Sequence, residues 1–250
     1  MLIEIVVLGL VLMLLERLVP ARQLPAVPGW WGRVVGANVA QFAVVVIAGY
    51  SWDRWLARAS VLSLGELGWS TPVQGALGYV VASFVYYWWH RARHDVNFLW
   101  LACHQLHHSP QRIEAITSFY KHPVELMANS LLSSGLSYGL LGLTPAGAAW
   151  VTFLSAAAEF FYHLNVRTPR WVGFFIQRPE MHRIHHARGV HYGNFGDLPI
   201  WDFLFGTYDN PPTFAGECGF KPEREARVGS MLAFRNVNAP FVQKRGKALR

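Results

Sequence analysis

The sequence predicts an all-α protein: an integral membrane helical bundle of about three to five membrane helices, with a histidine-rich helical cap on the cytoplasmic side. Three observations support this fold class. Apolar residues make up 52% of the 250 residues and charged residues only 15%, whereas charged residues usually make up about a quarter. Trp, Tyr and Phe recur near the ends of apolar runs, as they do at membrane interfaces. Eight of the 11 histidines fall in three short boxes.

Residues 1–89 are predicted to form the N-terminal membrane helices. The first apolar run, 2–19, lacks preceding basic residues and a small-residue cleavage site, so an uncleaved transmembrane helix is favoured over a signal peptide. Further spans are predicted at 34–50 and 72–89. The last of these ends in four aromatic residues directly before His90, so the first histidine box lies where this helix leaves the hydrocarbon.

Residues 90–210 are predicted to form the catalytic region, including a membrane hairpin at 124–162 whose two runs are each about 26 Å long and marginal for a full span. Ser109 and Pro110 are typical of a helix start and predict one there. An apolar patch at 171–176 is predicted to lie on the membrane. Residues 211–250 read as a polar tail of the same functional domain, with basic residues at its end: Lys244, Arg245, Lys247 and Arg250.

The distribution of charge predicts the orientation. With the N-terminus outside, all of the 22 Lys and Arg residues except Arg54 and Arg58 fall on the cytoplasmic side, as the positive-inside rule requires. The same topology places every histidine box on the cytoplasmic face, and we expect the cell inner membrane. The net charge of +7 then reflects this asymmetry and contact with anionic headgroups, and we expect no nucleic-acid partner.

The spacing of the histidines predicts metal binding. Residues at i, i+3 and i+4 of a helix share one face, so H-x-x-x-H and H-x-x-H-H each direct imidazoles to one place. Neutral imidazole binds zinc, iron, copper and nickel. Eight imidazoles exceed one tetrahedral site and suit two metal ions with about four each. Two cysteines cannot ligate an iron–sulfur cluster. The boxes comprise His90 and His94; His104, His107 and His108; and His182, His185 and His186.

These boxes, in this order and beside membrane helices, resemble the fatty acid hydroxylase / sterol desaturase superfamily. The resemblance covers about residues 80–210. It includes His122–Glu125 as an H-P-x-E element and His163-Leu164-Asn165 as the histidine before the last box. It also includes Asn194-Phe195-Gly196 as an N-Y-G element with Phe in place of Tyr, and Trp201–Thr207 as the W-D-x-L-F-G-T ending.

The resemblance implies a histidine-rich centre of two iron ions that activates O2. It implies nine ligand candidates, which the sequence does not assign between the two metals: His90, His94, His104, His107, His108, His163, His182, His185 and His186.

A second set of polar residues is predicted to hold the ligand rings by hydrogen bonds, since an acceptor on the outer nitrogen fixes the tautomer. An ordinary helix cap or salt bridge explains most of them equally well, and His122 and His191 are expected beside the site or at the surface. The set is Asp95, His122, Glu125, Glu159, Asn165, His191, Asn194 and Asp202.

The function that the resemblance implies is a membrane-bound non-haem di-iron oxygenase, which hydroxylates or desaturates a C–H bond of a lipid with O2 as co-substrate. The chain has no glycine-rich dinucleotide motif and no cysteine cluster, so electrons are expected from a separate ferredoxin, cytochrome or reductase. Arg91, Arg93, Arg183 and Arg188 flank the boxes, where they are predicted to steer an acidic partner or to contact lipid phosphates.

Two other classes stay open as alternatives. A membrane zinc metallohydrolase typically carries the motif H-E-x-x-H. In the three boxes, the residue after the first histidine is Arg91, Gln105 or Arg183, not glutamate. A non-enzymatic metal-binding or transport protein would place its ligands near the middle of spans, whereas these cluster at helix ends. The pattern leaves open the substrate (fatty acyl chain, sterol or hopanoid, carotenoid, ether lipid), hydroxylation against desaturation, and the oligomeric state.

Overall fold

The computed structural model describes residues 1–238, and this part of the chain is helical. It contains no strand, only one isolated bridge between Ala187 and Cys218. The prediction of an all-α fold is confirmed. The basic chain end predicted at Lys244, Arg245, Lys247 and Arg250 lies outside the described residues.

The helices follow one another with short connections. The first group consists of α1 (Leu2–Leu18), α2 (Trp30–Tyr50), α3 (Trp52–Leu56), α4 (Thr71–Asp95) and α5 (Asn97–Leu99). The second consists of α6 (Pro123–Ser134), α7 (Pro145–His163), α8 (Pro179–His185), α9 (Pro199–Leu204), α10 (Pro222–Glu225) and α11 (Val228–Leu232). Trp100–His104 and Gly135–Leu140 are π-helical, and short 3-10 turns lie at Leu64–Glu66, Ala115–Phe119 and Arg170–Phe174.

The helix starts follow local chemistry. Proline stands at the first position of α6 and of α7, where its missing N–H leaves no hydrogen bond unmade. The Thr144 hydroxyl accepts a hydrogen bond from the Gly147 N–H at 3.1 Å and so caps α7. His122 does the same for α6, because its Nδ1 accepts from the Val124 N–H at 3.1 Å.

The predicted helix start at Ser109-Pro110 is wrong. No helix begins there, and the next helical turn starts only at Ala115. The Ser109 hydroxyl turns back and donates to the Leu106 carbonyl at 2.7 Å, so it cannot cap a following turn. The Ser109 carbonyl accepts from the Phe220 N–H at 3.0 Å, a long-range bond that no local pattern reveals.

Helices α4 and α7 pack closely along their length, and small residues make the approach possible. A Cβ added at Gly75 would lie 2.3 Å from the Trp150 Cβ, and one at Gly78 would lie 2.6 Å from a Val151 methyl. The buried Gln74 side chain joins the starts of the two helices, since its Oε1 accepts from both the N–H and the hydroxyl of Thr144. The ends of α4 and α7, which carry His90, His94 and His163, are therefore held side by side.

One helix within residues 1–238 is long and apolar enough to cross a membrane, namely Trp30–Leu56, which is α2 continued through Ser51 into α3. Only 11% of its most apolar window is buried. Helix α1 is similarly open, and Ile3, Leu10 and Leu14 point away from the protein. The prediction of three to five membrane helices and a cytoplasmic cap stays a prediction.

The segment 218–238 packs against α2 and against the second histidine box. Phe220, Met231 and Val237 are buried in one cluster with Trp30 of α2. Gln105, inside the second histidine box, holds this segment at two points: its Nε2 donates to the Arg235 carbonyl and its Oε1 accepts from the Val237 N–H, each at 3.0 Å. The described part of the predicted polar tail is thus packed against the catalytic region.

The contact of α4 with α7 gives a test by paired glycine substitutions. In an open helical site, Gly→Ala stabilises by about 0.5–1 kcal/mol through reduced backbone freedom. Gly36 in α2 has no atom within 4 Å of an added Cβ, so Gly36→Ala is expected to raise the Tm slightly in detergent. Gly75→Ala is expected to lower it, by an overpacking cost of about 1–3 kcal/mol, because Trp150 blocks the new methyl. Equal shifts of the two variants would contradict this packing.

Candidate metal centre

The first two boxes are positioned by different kinds of helix. His90 and His94 lie one turn apart at the end of α4, so both rings lean the same way. The second box begins at His104, the last residue of the π-helical turn Trp100–His104. Here the Gln105 N–H bonds to the Trp100 carbonyl, five residues back, at 2.8 Å. The extra residue in this turn changes the direction in which the following side chains point, and such turns are common at functional sites.

The structure brings all nine ligand candidates together in two neighbouring groups. In each group the nitrogens, one per ring, lie within 4.8 Å of one another. All nine rings are buried except His90, which is half-buried. The first group holds His90, His94, His104, His108 and His185. The second group holds His107, His163, His182 and His186.

The i, i+4 spacing decides which histidines share a group. In the second box His104 and His108 join the first group, whereas the middle residue His107 crosses to the second. The third box is reversed: the i, i+4 pair joins the second group and its middle residue, His185, crosses to the first. Each H-x-x-H-H box therefore contributes to both groups and ties them together.

Hydrogen bonds fix the ring orientation in the first group. His90 Nδ1 lies 2.8 Å from the Phe195 carbonyl, and His185 Nδ1 lies 2.8 Å from the Gly193 carbonyl. A carbonyl only accepts, so both Nδ1 atoms are donors and the lone pair of each ring is on Nε2. Among the described residues, no partner bonds the buried Nε2 atoms of His90, His104, His108 and His185.

The second group has the same organisation at closer range. His163 Nδ1 donates to the Glu159 carbonyl at 2.7 Å, which leaves the lone pair on Nε2. His182 Nε2 lies 3.0 Å from His163 Nε2 and 3.0 Å from His186 Nε2. Two nitrogens bound to one ion at about 2.1 Å are about 3 Å apart at a right angle. The residues present therefore fit a metal ion in this group.

Burial keeps these rings neutral. Loss of water lowers the pKa of all nine histidines below the ordinary value, and it lowers the pKa of both His163 and His185 to about 3. Neighbouring positive charge acts in the same direction; Arg93 lowers the pKa of His104 further. A neutral imidazole is the form that binds a metal ion.

A buried carboxylate serves the first group. Glu125 has no exposed surface and pairs with the Arg93 guanidinium, while His104 Nδ1 lies 3.1 Å from its Oε1. The H-P-x-E element thus brings an acceptor to a ligand candidate from the start of α6. Arg93 balances the charge that this carboxylate would otherwise bury alone.

Asp202 acts on His90 through the backbone. Its carboxylate accepts from the Phe195 N–H and the Gly196 N–H, both at 2.8 Å, and from the Thr207 hydroxyl at 2.7 Å. These bonds hold the loop that presents the Phe195 carbonyl to His90. The N-F-G and W-D elements are therefore two parts of one clamp.

The sequence of the chain also matches known proteins. The family model described as fatty acid hydroxylase matches residues 75–207, more than half of the chain. The chain belongs to this family. The family membership predicted from the histidine boxes is confirmed. No solved structure matches the chain.

Several curated relatives of this family member are lipid enzymes by name. Human alkylglycerol monooxygenase is 27% identical over 164 residues, 64% of this chain and 34% of the relative. An ornithine lipid hydroxylase of Rhizobium tropici is 34% identical over 149 residues, 58% of this chain and 44% of the relative. A very-long-chain aldehyde decarbonylase of Oryza sativa is 28% identical over 190 residues, 64% of this chain and 29% of the relative. The chain spans less than half the length of each.

The other polar residues predicted around the site have varied positions. The Glu159 carboxylate pairs with Lys121 at 2.6 Å, and it is the Glu159 carbonyl that meets His163. Asp95 is exposed and pairs with Arg91 at 3.4 Å. The His191 ring lies 4.6 Å from that of Trp100, close to the first group but outside it.

The remaining three are structural contacts near the ligands. The Asn165 side chain accepts from Arg183 at 2.9 Å, beside the second group. Asn194 adopts φ 53°, and its amide donates to the Met181 and Asp209 carbonyls at 2.9 Å each. His122 caps α6 and its Nε2 lies 3.3 Å from the Leu232 carbonyl.

The prediction that Arg93 and Arg183 steer an acidic partner is wrong, because both are buried. Arg93 pairs with Glu125, and Arg183 donates to the Leu164 carbonyl at 2.9 Å. Arg91 and Arg188 remain partly exposed.

Sequence reasoning missed the main-chain acceptors of the rings, at Tyr120, Gly193 and Phe195. No side chain signals a carbonyl acceptor. The charge balance by Arg93 had a signal that was available, since this arginine stands between two ligand candidates in one helical turn.

The pKa directions predict how acid affects the metal-free protein. An unfolded histidine titrates near pH 6.5, whereas the folded rings stay neutral far below that, with a pKa of about 3 at His163 and His185. Between these values the unfolded chain binds more protons, so the free energy of unfolding falls as pH falls below about 6.5. We expect denaturant unfolding in detergent to show clearly lower stability at pH 5.5 than at pH 7.5. His185→Gln should reduce this dependence; a flat profile in the parent protein would contradict it.

Proposed function

We propose that this protein is a membrane-bound non-haem di-iron oxygenase that hydroxylates or desaturates a C–H bond of a lipid. Its co-substrate is O2, and its electrons come from a separate donor such as a ferredoxin, a cytochrome or a reductase. The observation that carries the proposal is the pair of buried histidine groups, in each of which one nitrogen per ring lies within 4.8 Å of the others. Family membership and the lipid hydroxylases and monooxygenases among the relatives support a lipid oxygenase.

The donor set fits two iron ions. The first group offers five imidazoles and the second offers four, all of them neutral nitrogen donors suited to iron, zinc or copper. None of the boxes carries the glutamate base of an H-E-x-x-H zinc hydrolase, and the relatives carry out oxidation by name. A bound iron pair supplies the oxidising chemistry that an unactivated C–H bond requires and that amino-acid side chains lack.

The side chains and backbone of the protein hold and orient the ligand candidates and exclude water from the site. Carbonyl acceptors on His90, His163 and His185 keep each ring in one tautomer, so its lone pair stays directed inward. In the proposed centre, Glu125 accepts a hydrogen bond from His104 Nδ1, and this makes His104 Nε2 a more basic metal ligand. Burial excludes water, which protects the reacting centre from side reactions.

The substrate that fits is a membrane lipid with an alkyl chain and a polar head. The relatives' names mention alkylglycerol and ornithine lipid, which share that plan. The apolar exposed faces of α1 and α2 suit lipid contact, and we assign the chain to the inner membrane with both histidine groups on the cytoplasmic side. In this arrangement, 1–89 provides the membrane helices, 90–210 the catalytic region and 211–250 a polar tail of the same functional domain.

The histidine assignment is tested by paired alanine variants. His107→Ala removes a ring from the second group, so iron is expected to fall from two per chain to about one, with loss of lipid oxidation. His122→Ala is the matched control, because His122 belongs to neither group and should keep two irons. Iron analysis of the purified protein, together with mass spectrometry of lipid extracts for a gain of one oxygen or a loss of two hydrogens, measures both.

Two outcomes would overturn the proposal. Full iron content and full lipid oxidation in His107→Ala would remove this ring from the centre. One zinc per chain in the parent protein, with no O2-dependent mass change in any lipid, would favour a hydrolase.

The clamp formed by Asp202 predicts a separate effect. Asp202→Asn offers one oxygen in place of two, so at least one of its loop bonds is lost and the Phe195 carbonyl is freed from His90. Loss of such a supporting contact costs about 10–100-fold in metal affinity, expected here for the first group only. Asp95→Asn makes the same change at an exposed pair and should have little effect. Iron retained during dialysis against a chelator gives the comparison, and equal retention would contradict the clamp.

A further inference from the structure

Helix α9 has two faces with opposite chemistry. Asp202 points inward and is fully buried, where it holds the Phe195 loop. Ile200, Phe203 and Leu204 point outward, and 70% of Phe203 is exposed. A helix of six residues that exposes three large apolar side chains gains nothing from water contact, so this face needs an apolar environment.

A second short helix continues this apolar surface. In the 3-10 turn Arg170–Phe174 and the residue after it, Trp171, Phe174 and Phe175 are each more than 60% exposed. The 3-10 turn is tied to the segment that follows α9: the Tyr208 hydroxyl donates to the Gly173 carbonyl at 3.1 Å, and the Asn210 amide donates to the Arg170 carbonyl at 3.0 Å. We call this surface the aromatic platform: Trp171, Phe174, Phe175, Ile200, Phe203 and Leu204.

The aromatic platform is continuous with the outer face of α4. The Trp201 ring lies 5.0 Å from that of Phe84, and Phe205 lies 4.7 Å from Trp88. Phe84 and Trp88 are themselves exposed on α4, the helix predicted to leave the membrane at His90. A lipid surface around this end of α4 therefore extends directly onto the platform.

Charge and length indicate how the platform meets lipid. Arg167 and Arg170 are exposed at the edge of the platform. Glu180 is buried and pairs with Arg178, so it adds no negative charge to this surface. Asp209 is an exposed carboxylate of the same region. The excess positive charge suits anionic headgroups. Helical turns of five and six residues are about 10 Å long at most and cannot span a bilayer, but they can lie in its interface.

We propose that the aromatic platform is immersed in the headgroup region of an anionic bilayer and holds the histidine groups at the lipid surface. The proposal rests on the membrane placement given above. It adds that lipid contact and metal support are opposite faces of one helix, because Asp202 and Phe203 are neighbours on α9. A row of rings leads from Phe205, the residue directly after α9, to the first group: Phe205 to Tyr87 at 5.3 Å, Tyr87 to Phe195 at 6.1 Å, and Phe195 to His90 at 5.6 Å.

The test is site-directed fluorescence quenching of the full chain reconstituted in vesicles of phosphatidylethanolamine and phosphatidylglycerol. Phe203→Cys, Phe174→Cys and Trp171→Cys are each labelled with a small fluorophore; Cys103 and Cys218 are buried. Glu217→Cys, at a residue whose side chain is 73% exposed, is the matched aqueous control. Brominated acyl chains quench from the lipid side and iodide from the water side.

We expect the three platform labels to be quenched by brominated lipid about threefold more than the label at 217, and to be shielded from iodide. Iodide quenching equal to that at 217 in all three would overturn the proposal and leave the surface to a water-soluble partner, such as an electron donor. Iron content and lipid oxidation are measured on the same samples. Lipid-shielded labels without iron would defeat the oxygenase and keep the platform, and water-exposed labels with two irons would do the reverse.

Discussion

Nine neutral imidazoles, packed so that one nitrogen of each ring lies within 4.8 Å of the others in its group, are the constraint on which the rest of the structure depends. Buried polar atoms without partners are costly, and here several are concentrated in one place. In the second group, His182 Nε2 lies 3.0 Å from both His163 Nε2 and His186 Nε2, which is the spacing of nitrogens that share one metal ion. The fold orients five of the nine rings through groups at their Nδ1 atoms: main-chain carbonyls at His90, His107, His163 and His185, and the Glu125 carboxylate at His104.

Dividing each H-x-x-H-H box between the groups has a mechanical result. His107 and His108 are adjacent in the chain but belong to different groups, as are His185 and His186. A displacement of either box must therefore move ligand candidates of both groups at once. The two groups act as a unit because the backbone joins them, and the stacked rings of His108 and His186, 4.2 Å apart, add a direct contact between them.

Much of this organisation follows from the sequence. Helical spacing predicts the eight histidines of the three boxes, and the resemblance to the hydroxylase family adds His163, so all nine rings that the structure gathers could be named from the sequence. The spacing pairs His104 with His108 and His182 with His186, but it does not show that His107 and His185 join the opposite group, because the direction of the second box depends on the π-helical turn before Gln105. Main-chain acceptors leave no trace in residue identity.

The misplaced helix start at Ser109 has the same kind of cause. Its hydroxyl and carbonyl are used by Leu106 and by Phe220, and the second partner lies more than a hundred residues away. Local capping rules cannot anticipate such a competitor. Arg93 and Arg183 were predicted to steer an acidic partner or to contact lipid phosphates because they flank the boxes, but buried acceptors at Glu125 and Asn165 hold both inside.

The hold of Gln105 on residues 235 and 237 links the second histidine box to the end of the described chain. Gln105 follows His104 directly and stands two residues before His107, so one buried amide side chain lies next to a ligand candidate of each group. Phe220, Met231 and Val237 pack in one cluster with Trp30 of α2 and fix the segment that this amide holds. Residues 218–238 therefore buttress both groups from a single point, although they contribute no ligand candidate to either.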